Sequence, residues 1–181
     1  MNNSHIDIDK TKATLLFIVS KLGITDIHKL FKILYFADKK HLASYGRPIL
    51  SDSYIAMKHG PVPSFIYDCI KAIRGDGFNH PSFSTFIDAF ELLNKKDIRA
   101  KEKPDMDELS KSDIECLTCA VSDNKNDDFK TLSEKSHDSA WENVTRDDAI
   151  DIMEIAKSAG ANNEMLKYIE ENQEYHDITF Q

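Results

Sequence analysis

The residue with the most unusual setting is Asp38, a carboxylate inside an apolar helical stripe. At 3.6 residues per turn, Tyr35 and Leu42 fall on one side of a helix with Asp38 between them. Burying an unpaired carboxylate costs several kcal/mol, so donors must lie nearby. The candidate donors are Tyr45, Tyr54, Arg47, Lys58 and the backbone amides of residues 58–63. Asp38 is interpreted as a structural tie between helix and turn, with a partner-binding or catalytic acid as the alternative.

Histidines and cysteines suggest metal chemistry only weakly. The histidines at positions 28, 41 and 59 lie in the first third of the chain, and no pair has the four-residue spacing of a helical zinc motif. Cys116 and Cys119 form a single CxxC, which is typical of packing residues on one helix turn; a metal site completed by His137 is the alternative. No GxSxG, phosphate-loop or paired-carboxylate motif is present. The sequence therefore predicts no catalytic residue, no metal and no cofactor.

The segment His59-Gly60-Pro61-Val62-Pro63 is predicted to be a fixed turn. Its two prolines lack N–H groups, so it cannot cradle a phosphate through a row of amides. It either directs the helix that follows or contacts a partner, and the sequence leaves both roles open.

Charge is distributed unequally along the chain. Residues 1–101 carry 15 Lys and Arg against 10 Asp and Glu, whereas residues 102–181 carry 8 against 21. An acidic face would repel nucleic acid and attract basic proteins, although solubility alone also explains it. Lysines 29, 32, 39 and 40 are predicted to form a solvated outer face of one helix. Direct nucleic-acid binding is not expected.

The elements that position these residues are mostly helices. In the first half, helices are predicted over about 10–22 with Asp9 as the N-terminal cap, over about 27–45 with Thr25 or Asp26 as the cap, and over 64–74 with Ser64 as the cap. In the second half, a helix over about 112–122 is predicted to begin with a Ser112–Glu115 capping box. Short helical pieces are predicted over 129–144, and two further helices over about 147–159 and about 163–172. A strand is predicted over 53–58, and a hairpin over 90–93 and 97–100. The fold class is therefore mainly α (α+β), a compact helical domain with a small antiparallel β-sheet or hairpin. We expect one domain over 1–181, with a flexible acidic tail over 173–181.

The longest apolar run, Leu15–Val19, is far shorter than the roughly 20 residues of a membrane helix. No signal peptide is evident, because Lys21 follows that run and no small-residue cleavage site is present. The three cysteines are a sparse and odd set. We therefore expect a cytoplasmic protein with reduced thiols and no membrane partner.

Several strings of residues resemble the Panacea domain of SocA-like antitoxins. They are LFKILYFAD at 30–38, YGRPI at 45–49, YIAM at 54–57 and HGPVPS at 59–64, with His41, Asp52 and Tyr67 among them. A looser likeness lies at LSEKSH, residues 132–137, with Trp141. The motif and expected partner-binding residues are Tyr35, Asp38, His41, Tyr45, Arg47, Pro48, Asp52, Tyr54, Lys58, His59, Gly60, Pro61 and Val62. A motif shared across antitoxins of unrelated toxins either contacts the toxin or holds the fold.

The resemblance implies a bacterial antitoxin, a class for which phage defence is an expected setting. Such a protein binds a cognate toxin encoded in the same operon and neutralises it by direct contact, without being an enzyme. One branch of the family implies a different outcome, in which the antitoxin is an adaptor that presents the toxin to a cytosolic protease. The alternative from the enzyme class is a hydrolase or toxin-modifying enzyme built around Asp38, His41 and His59.

Overall fold

The computed structural model describes residues 6–76 and 80–179, with side chains as far as residue 173. Its helices are α1 (Ile8–Leu22), α2 (Ile27–Tyr45), α3 (Ser64–Arg74), α4 (Ser84–Ala89), α5 (Lys111–Asn124), α6 (Phe129–Ser136), α7 (Ser139–Glu142), α8 (Ile152–Ser158) and α9 (Asn163–Thr179). Its strands are β1 (Thr25–Asp26), β2 (Tyr54–Met57), β3 (Gly60–Pro63), β4 (Phe90–Leu93) and β5 (Asp97–Ala100). The predicted α+β fold with small antiparallel sheets is confirmed.

Helix α2 is the centre of the molecule, in contact with α1, α5, α6, α8 and β3. Leu30, Ile33 and Leu34 are completely buried, because neighbours cover the helix on nearly every side. The helix begins as predicted, with the Asp26 carboxylate accepting from the Lys29 amide. It ends at Gly46, whose left-handed φ of 70° lets its N–H reach the carbonyl of Leu42.

Two helix starts differ from the sequence-based expectation. The cap of α1 is Asp7 rather than Asp9, and the capping box of α5 joins Ser110 to Asp113 rather than Ser112 to Glu115. In each case several residues with capping side chains stand close together in the sequence. The residue that caps is the one whose backbone is extended, which sequence alone does not reveal.

The segment 147–150 is the largest departure from the expected helices. It was predicted to open a helix, but α8 begins at Ile152 with Asp151 as cap. The segment instead runs beside β2: the Ala56 amide donates to Asp148 O at 2.9 Å, and the Ile150 amide donates to Tyr54 O at 2.8 Å. These bonds satisfy the outer edge of β2, which outweighs the local helix preference.

The C-terminal helix extends further than predicted, to Thr179 rather than about residue 172. The segment 173–181, expected to be a flexible acidic tail, is therefore helical through Thr179, and residues 180 and 181 lie outside the described part. Among the described residues, no helix is long and apolar enough to cross a bilayer.

Strands β2 and β3 form an antiparallel hairpin, which confirms the predicted strand and corrects the predicted turn. Residues 60–63 are a strand even though two of the four are prolines. Pro61 and Pro63 face Ala56 and Tyr54, whose backbone groups point to the other side, towards 148–150. The hydrogen bonds between β2 and β3 therefore need no backbone N–H from Pro61 or Pro63.

The second sheet has the strand order β1-β5-β4, so β4 is an edge strand. The predicted hairpin over 90–93 and 97–100 is confirmed, with Leu92 opposite Ile98. Its turn places Asn94 and Lys95 at φ of 51° and 60°. Strand β1 and helix α4 were not predicted, because two and six residues are too short for a periodic signal.

Candidate functional site

Asp38 is 1% exposed and ties α2 to the chain that follows it. The Tyr54 hydroxyl donates to it at 2.6 Å and the Ile49 amide at 2.7 Å. Of the proposed donors only Tyr54 is correct; the amide comes from the loop before β2 and not from residues 58–63. Burial away from water raises the pKa of Asp38 to about 7, because both donors are neutral and cannot offset the desolvation.

Tyr35 joins the same helix to the segment before α7. Its hydroxyl donates to Asp138 at 2.9 Å, and Lys39 forms an ion pair with the same carboxylate. Asp138 also accepts from the amides of Ala140 and Trp141, so it caps α7 while holding α2. Burial and the adjacent Asp138 charge raise the pKa of Tyr35, which therefore remains a hydroxyl donor.

His41 connects the end of α2 to the start of α5. Its Nδ1 lies 2.7 Å from the carbonyl oxygen of Arg47, and its Nε2 lies 3.0 Å from the Ser112 hydroxyl and 3.1 Å from Asp113 Oδ1. Burial is the largest cause that lowers the pKa of His41, so the neutral ring donates from Nδ1 to the Arg47 carbonyl and accepts at Nε2 from the Ser112 hydroxyl. Tyr45 packs over this ring with centroids 4.7 Å apart.

Asp113 is fully buried and surrounded by cations. Lys10 Nζ lies 2.9 Å away and Arg47 Nη1 3.6 Å away. Desolvation opposes ionisation, but hydrogen bonds from Lys10 and Ser110 outweigh it and hold the pKa of Asp113 below its ordinary value. Arg47 therefore belongs to this cluster rather than to Asp38.

The side chain that caps α3 is that of Asp52, not that of Ser64 as predicted. Its two carboxylate oxygens accept from the amides of Phe65 and Ile66 at 2.9 and 3.1 Å, whereas Pro63 at the cap position supplies no side-chain bond. A residue twelve positions upstream thus satisfies the helix start, which local sequence rules do not foresee. Pro48 lies in the loop between α2 and Asp52 and is half-buried.

Lys32 is the main error in the lysine prediction. It is completely buried, and its ammonium donates to the Pro61 carbonyl at 2.7 Å. Burial lowers its pKa to about 7. Gly60 packs beside it, where an added Cβ would collide with Ser136 Oγ, so only glycine fits between α2 and α6. The other lysines of the row also have partners: Lys29 bonds Lys125 O, Lys39 pairs with Asp138 and Lys40 contacts Cys119.

The exposed motif residues are Tyr45, Arg47, Lys58 and His59. His59 lies at the β2–β3 turn and meets Phe129 edge-on at 5.2 Å. Phe129, 50% exposed, stacks on His28 at 4.0 Å. Burial is the largest cause that lowers the pKa of His28 to about 4. His28 is therefore uncharged at neutral pH.

The alternative active site and metal site are not assembled. Asp38, His41 and His59 belong to three separate sets of contacts, and His137 stacks on Trp141 with centroids 3.7 Å apart. Within residues 6–76 and 80–173, no group of three His, Cys, Asp or Glu side chains has an arrangement that could hold a metal ion.

Three residues of the site were missed by sequence reasoning. Lys32 precedes Tyr35 by three positions on the buried face of α2, and this spacing was available as a signal. Asp113 stands three residues after Ser110, the spacing of a capping box. Asp138 precedes a short helix as a cap, but its contact with Tyr35 joins residues 103 positions apart, and no local pattern reveals that.

Comparisons with known proteins support one family. The model of the antitoxin SocA-like, Panacea domain family matches residues 30–142, which includes most of α2, both hairpins and α3 to α7. No curated protein matches the chain, and no solved structure matches it. Because the match covers more than half of the sequence, the chain belongs to the SocA-like antitoxin family with a Panacea domain.

Proposed function

We propose that this chain is an antitoxin that neutralises a cognate toxin by direct protein contact. The observation that carries the proposal is the family match over residues 30–142. The toxin is proposed to be encoded in the same operon and to be bound in the cytoplasm, without catalysis by the antitoxin.

The contacts of the motif residues support two roles within the motif, a structural role for buried residues and partner contact for exposed ones. Tyr35, Asp38, His41 and Tyr54 are buried and bonded within the fold. The exposed His59 is free to contact a partner, with Phe129 beside it. A rigid exposed aromatic ring is typical of the anchor residues of protein interfaces, since little side-chain entropy is lost on binding. We therefore assign toxin contact to this turn and a structural role to the buried residues.

The experiment is to express the adjacent gene from an inducible promoter, with and without this chain, and to score growth together with toxin level. Direct neutralisation predicts restored growth while the toxin protein remains at its original level. The purified pair should form a near-stoichiometric complex without ATP, nucleotide or protease. Loss of the toxin only in cells that contain the protease would identify an adaptor instead. Rescue by a small substoichiometric amount would identify an enzyme.

A matched pair of variants tests the assigned surface. Phe129→Ala removes the exposed ring, whereas Tyr168→Ala removes a ring of similar exposure on α9. The first should weaken the complex by about tenfold or more, as expected for an aromatic anchor, and the second should not. Equal effects of the two variants would contradict the assignment of His59 and Phe129, while leaving the antitoxin function intact.

A further inference from the structure

A groove of about 540 Å³ runs along the edge strand β4, away from the motif. Its apolar lining comes from the end of α3, from α4 and from β4: Ile73, Ile87, Phe90 and Leu92. Ile87 is 40% exposed, so an apolar part of this lining is in contact with solvent. The volume is in the range of peptide-sized and ligand-sized sites, which span roughly 300–1,000 Å³.

The backbone of β4 offers hydrogen-bonding groups to this groove. The Lys101 amide donates to Ala89 O, so the hydrogen-bonded pairs of the hairpin continue as Glu91 with Arg99. Phe90 and Leu92 consequently direct their backbone groups away from β5. The Phe90 amide is taken by Phe86 O at the end of α4. Among the described residues, the Leu92 N–H and C=O have no hydrogen-bond partner, and no strand pairs with that edge.

Positive charge surrounds the groove in a chain whose net charge is −8. Arg74, Lys95 and Lys101 line it, and the only carboxylate among the lining residues, Glu91, is already paired with Arg99. Among residues 6–76 and 80–173, no acceptor bonds the buried Nε atom of Arg74, and the nearest anion to its guanidinium is Asp76 at 3.6 Å. The side chain is 27% exposed, so the accessible part of the guanidinium can pair with an incoming carboxylate.

We propose that the β4 edge is a binding site for an extended peptide segment of another protein, in which aliphatic and acidic side chains alternate. The segment adds a strand beside β4 and exchanges backbone hydrogen bonds with Leu92. Successive side chains of a strand point to opposite faces, so its aliphatic side chains cover Ile73 and Ile87. Its acidic side chains meet Arg74, Lys95 and Lys101. This site is distinct from the His59 surface and does not depend on the toxin as occupant.

The test uses the full chain and random peptides displayed on phage. Selection should enrich peptides with alternating aliphatic and acidic residues, and a synthetic copy of one should shift the backbone amide signal of Leu92 in an NMR titration. Arg74→Gln and Lys101→Gln should each weaken its binding by about tenfold, since each removes a charge-assisted contact. Lys167→Gln, an exposed lysine on α9, is the control and should leave the affinity unchanged.

A second pair of variants separates backbone pairing from side-chain contact. Leu92→Pro removes the outward N–H, whereas Leu92→Ala keeps it and shortens the side chain. Proline should weaken peptide binding more than alanine does. If the proline variant does not fold, hydrogen exchange of the unmodified chain is measured instead. Added peptide should then protect the Leu92 amide from exchange. The proposal is overturned if no such peptides are enriched, if the Leu92 amide is neither shifted nor protected, or if affinity is indifferent to Arg74 and Lys101.

Discussion

Two buried carboxylates, Asp38 on α2 and Asp113 on α5, show opposite solutions to the same physical problem. Each is at most 1% exposed. The donors to Asp38 in the described part of the chain are all neutral: the Tyr54 hydroxyl and the backbone amides of Ile49 and Leu50. Asp113 has two cations nearby, Lys10 at 2.9 Å and Arg47 within 4 Å. The cations make ionisation favourable at Asp113, whereas the pKa of Asp38 is raised to about 7.

The difference shows which contacts determine the protonation state of each buried carboxyl group. At Asp38 the neutral hydrogen bonds lower the pKa but do not offset the lost hydration, so the protonated form gains. At Asp113 the Lys10 ammonium adds its charge to the hydrogen bonds from Ser110, and together they outweigh desolvation, so the charged form persists. Asp38 is thus a hydrogen-bonded tie between α2, the loop at Ile49 and β2, while Asp113 is an electrostatic tie between α1, α2 and α5.

The largest effect is expected for Asp113→Asn. This change leaves the partly buried Lys10 ammonium beside a neutral amide, and the loss of one partner of such an ion pair costs about 3 kcal/mol of unfolding free energy. Denaturant unfolding of the variant and of the unmodified chain at neutral pH measures it. Glu115→Gln, which neutralises an exposed carboxylate on the same helix, is the control. A cost as small as that of the control would show that the cations around Asp113 contribute little.

The second effect concerns Asp38. Asp38→Ala leaves Tyr54 and the Ile49 amide without an acceptor, at a cost of about 1–3 kcal/mol. Asp38→Asn should cost less, because both partners are neutral and an amide keeps one acceptor oxygen. Equal burial would suggest equal costs for the two asparagine variants, whereas we expect Asp113→Asn to be the worse. If Asp38→Ala unfolds normally but no longer neutralises the toxin, Asp38 belongs to the partner surface instead.

The third expectation is a difference in pH dependence. The folded chain holds a proton on Asp38 at pH values where the unfolded chain has released it. This contribution to stability is complete below the ordinary pKa of 3.8 and is lost as the pH rises to about 7. Its slope is at most about 1.4 kcal/mol per pH unit. Asp113 behaves in the opposite way: its contribution is present above the ordinary pKa and is lost as the pH falls through the lower folded value.

Unfolding free energies measured from about pH 2 to 8 test this contrast. The curve of Asp38→Asn subtracted from that of the unmodified chain isolates the Asp38 slope, since other titrating groups, including Lys32, cancel. The same subtraction with Asp113→Asn should show a slope of opposite sign at lower pH. A flat difference curve for Asp38 between pH 4 and 7 would mean that it is ionised in the folded chain.

The smallest effect concerns exposed acids, which contrast with both buried ones. If the acidic second half guides toxin encounter, raising salt from about 0.05 to 0.5 M should slow association more than it speeds dissociation, because exposed charges are screened beyond roughly 10 Å at 0.1 M. The exposed candidates are Asp148, Asp151, Glu170 and Glu171. Glu170→Gln with Glu171→Gln should reduce this salt dependence, and Asp9→Asn with Asp88→Asn, which neutralise two exposed acids of the first half, should not. An association rate indifferent to salt would remove the role of charge.

The sequence predicts the long periodic elements well. The limits of α2 and of the β4–β5 hairpin are as expected, because apolar periodicity, a capping aspartate and a terminal glycine agree at α2. The tie from Asp38 to Tyr54 is also as expected, since a carboxylate in an apolar stripe must find donors. These features depend on residues that are close in sequence or on a constraint that applies wherever the residue is buried.

The remaining features depend on contacts between distant residues. Residues 147–150 prefer β2 to a helix because the edge amides there need partners, and Asp52 caps α3 although Ser64 stands in the usual place. Lys32 is buried because β3 and α6 close over it. Each of these features depends on residues far apart in the sequence, so local sequence patterns cannot predict it.

The two prolines of β3 have a consequence for self-association. An unpaired strand edge is a template for pairing with other copies, and natural proteins protect such edges with proline. Pro61 and Pro63 face Ala56 and Tyr54 and have no N–H to offer, while 147–150 covers the outer edge of β2. Edge-to-edge aggregation of this family member should therefore proceed through β4, because β1, the other edge of its sheet, has only two residues. Substitutions that remove the lysines around β4 should shorten the lag time of fibril formation, while those in β2 or β3 should not.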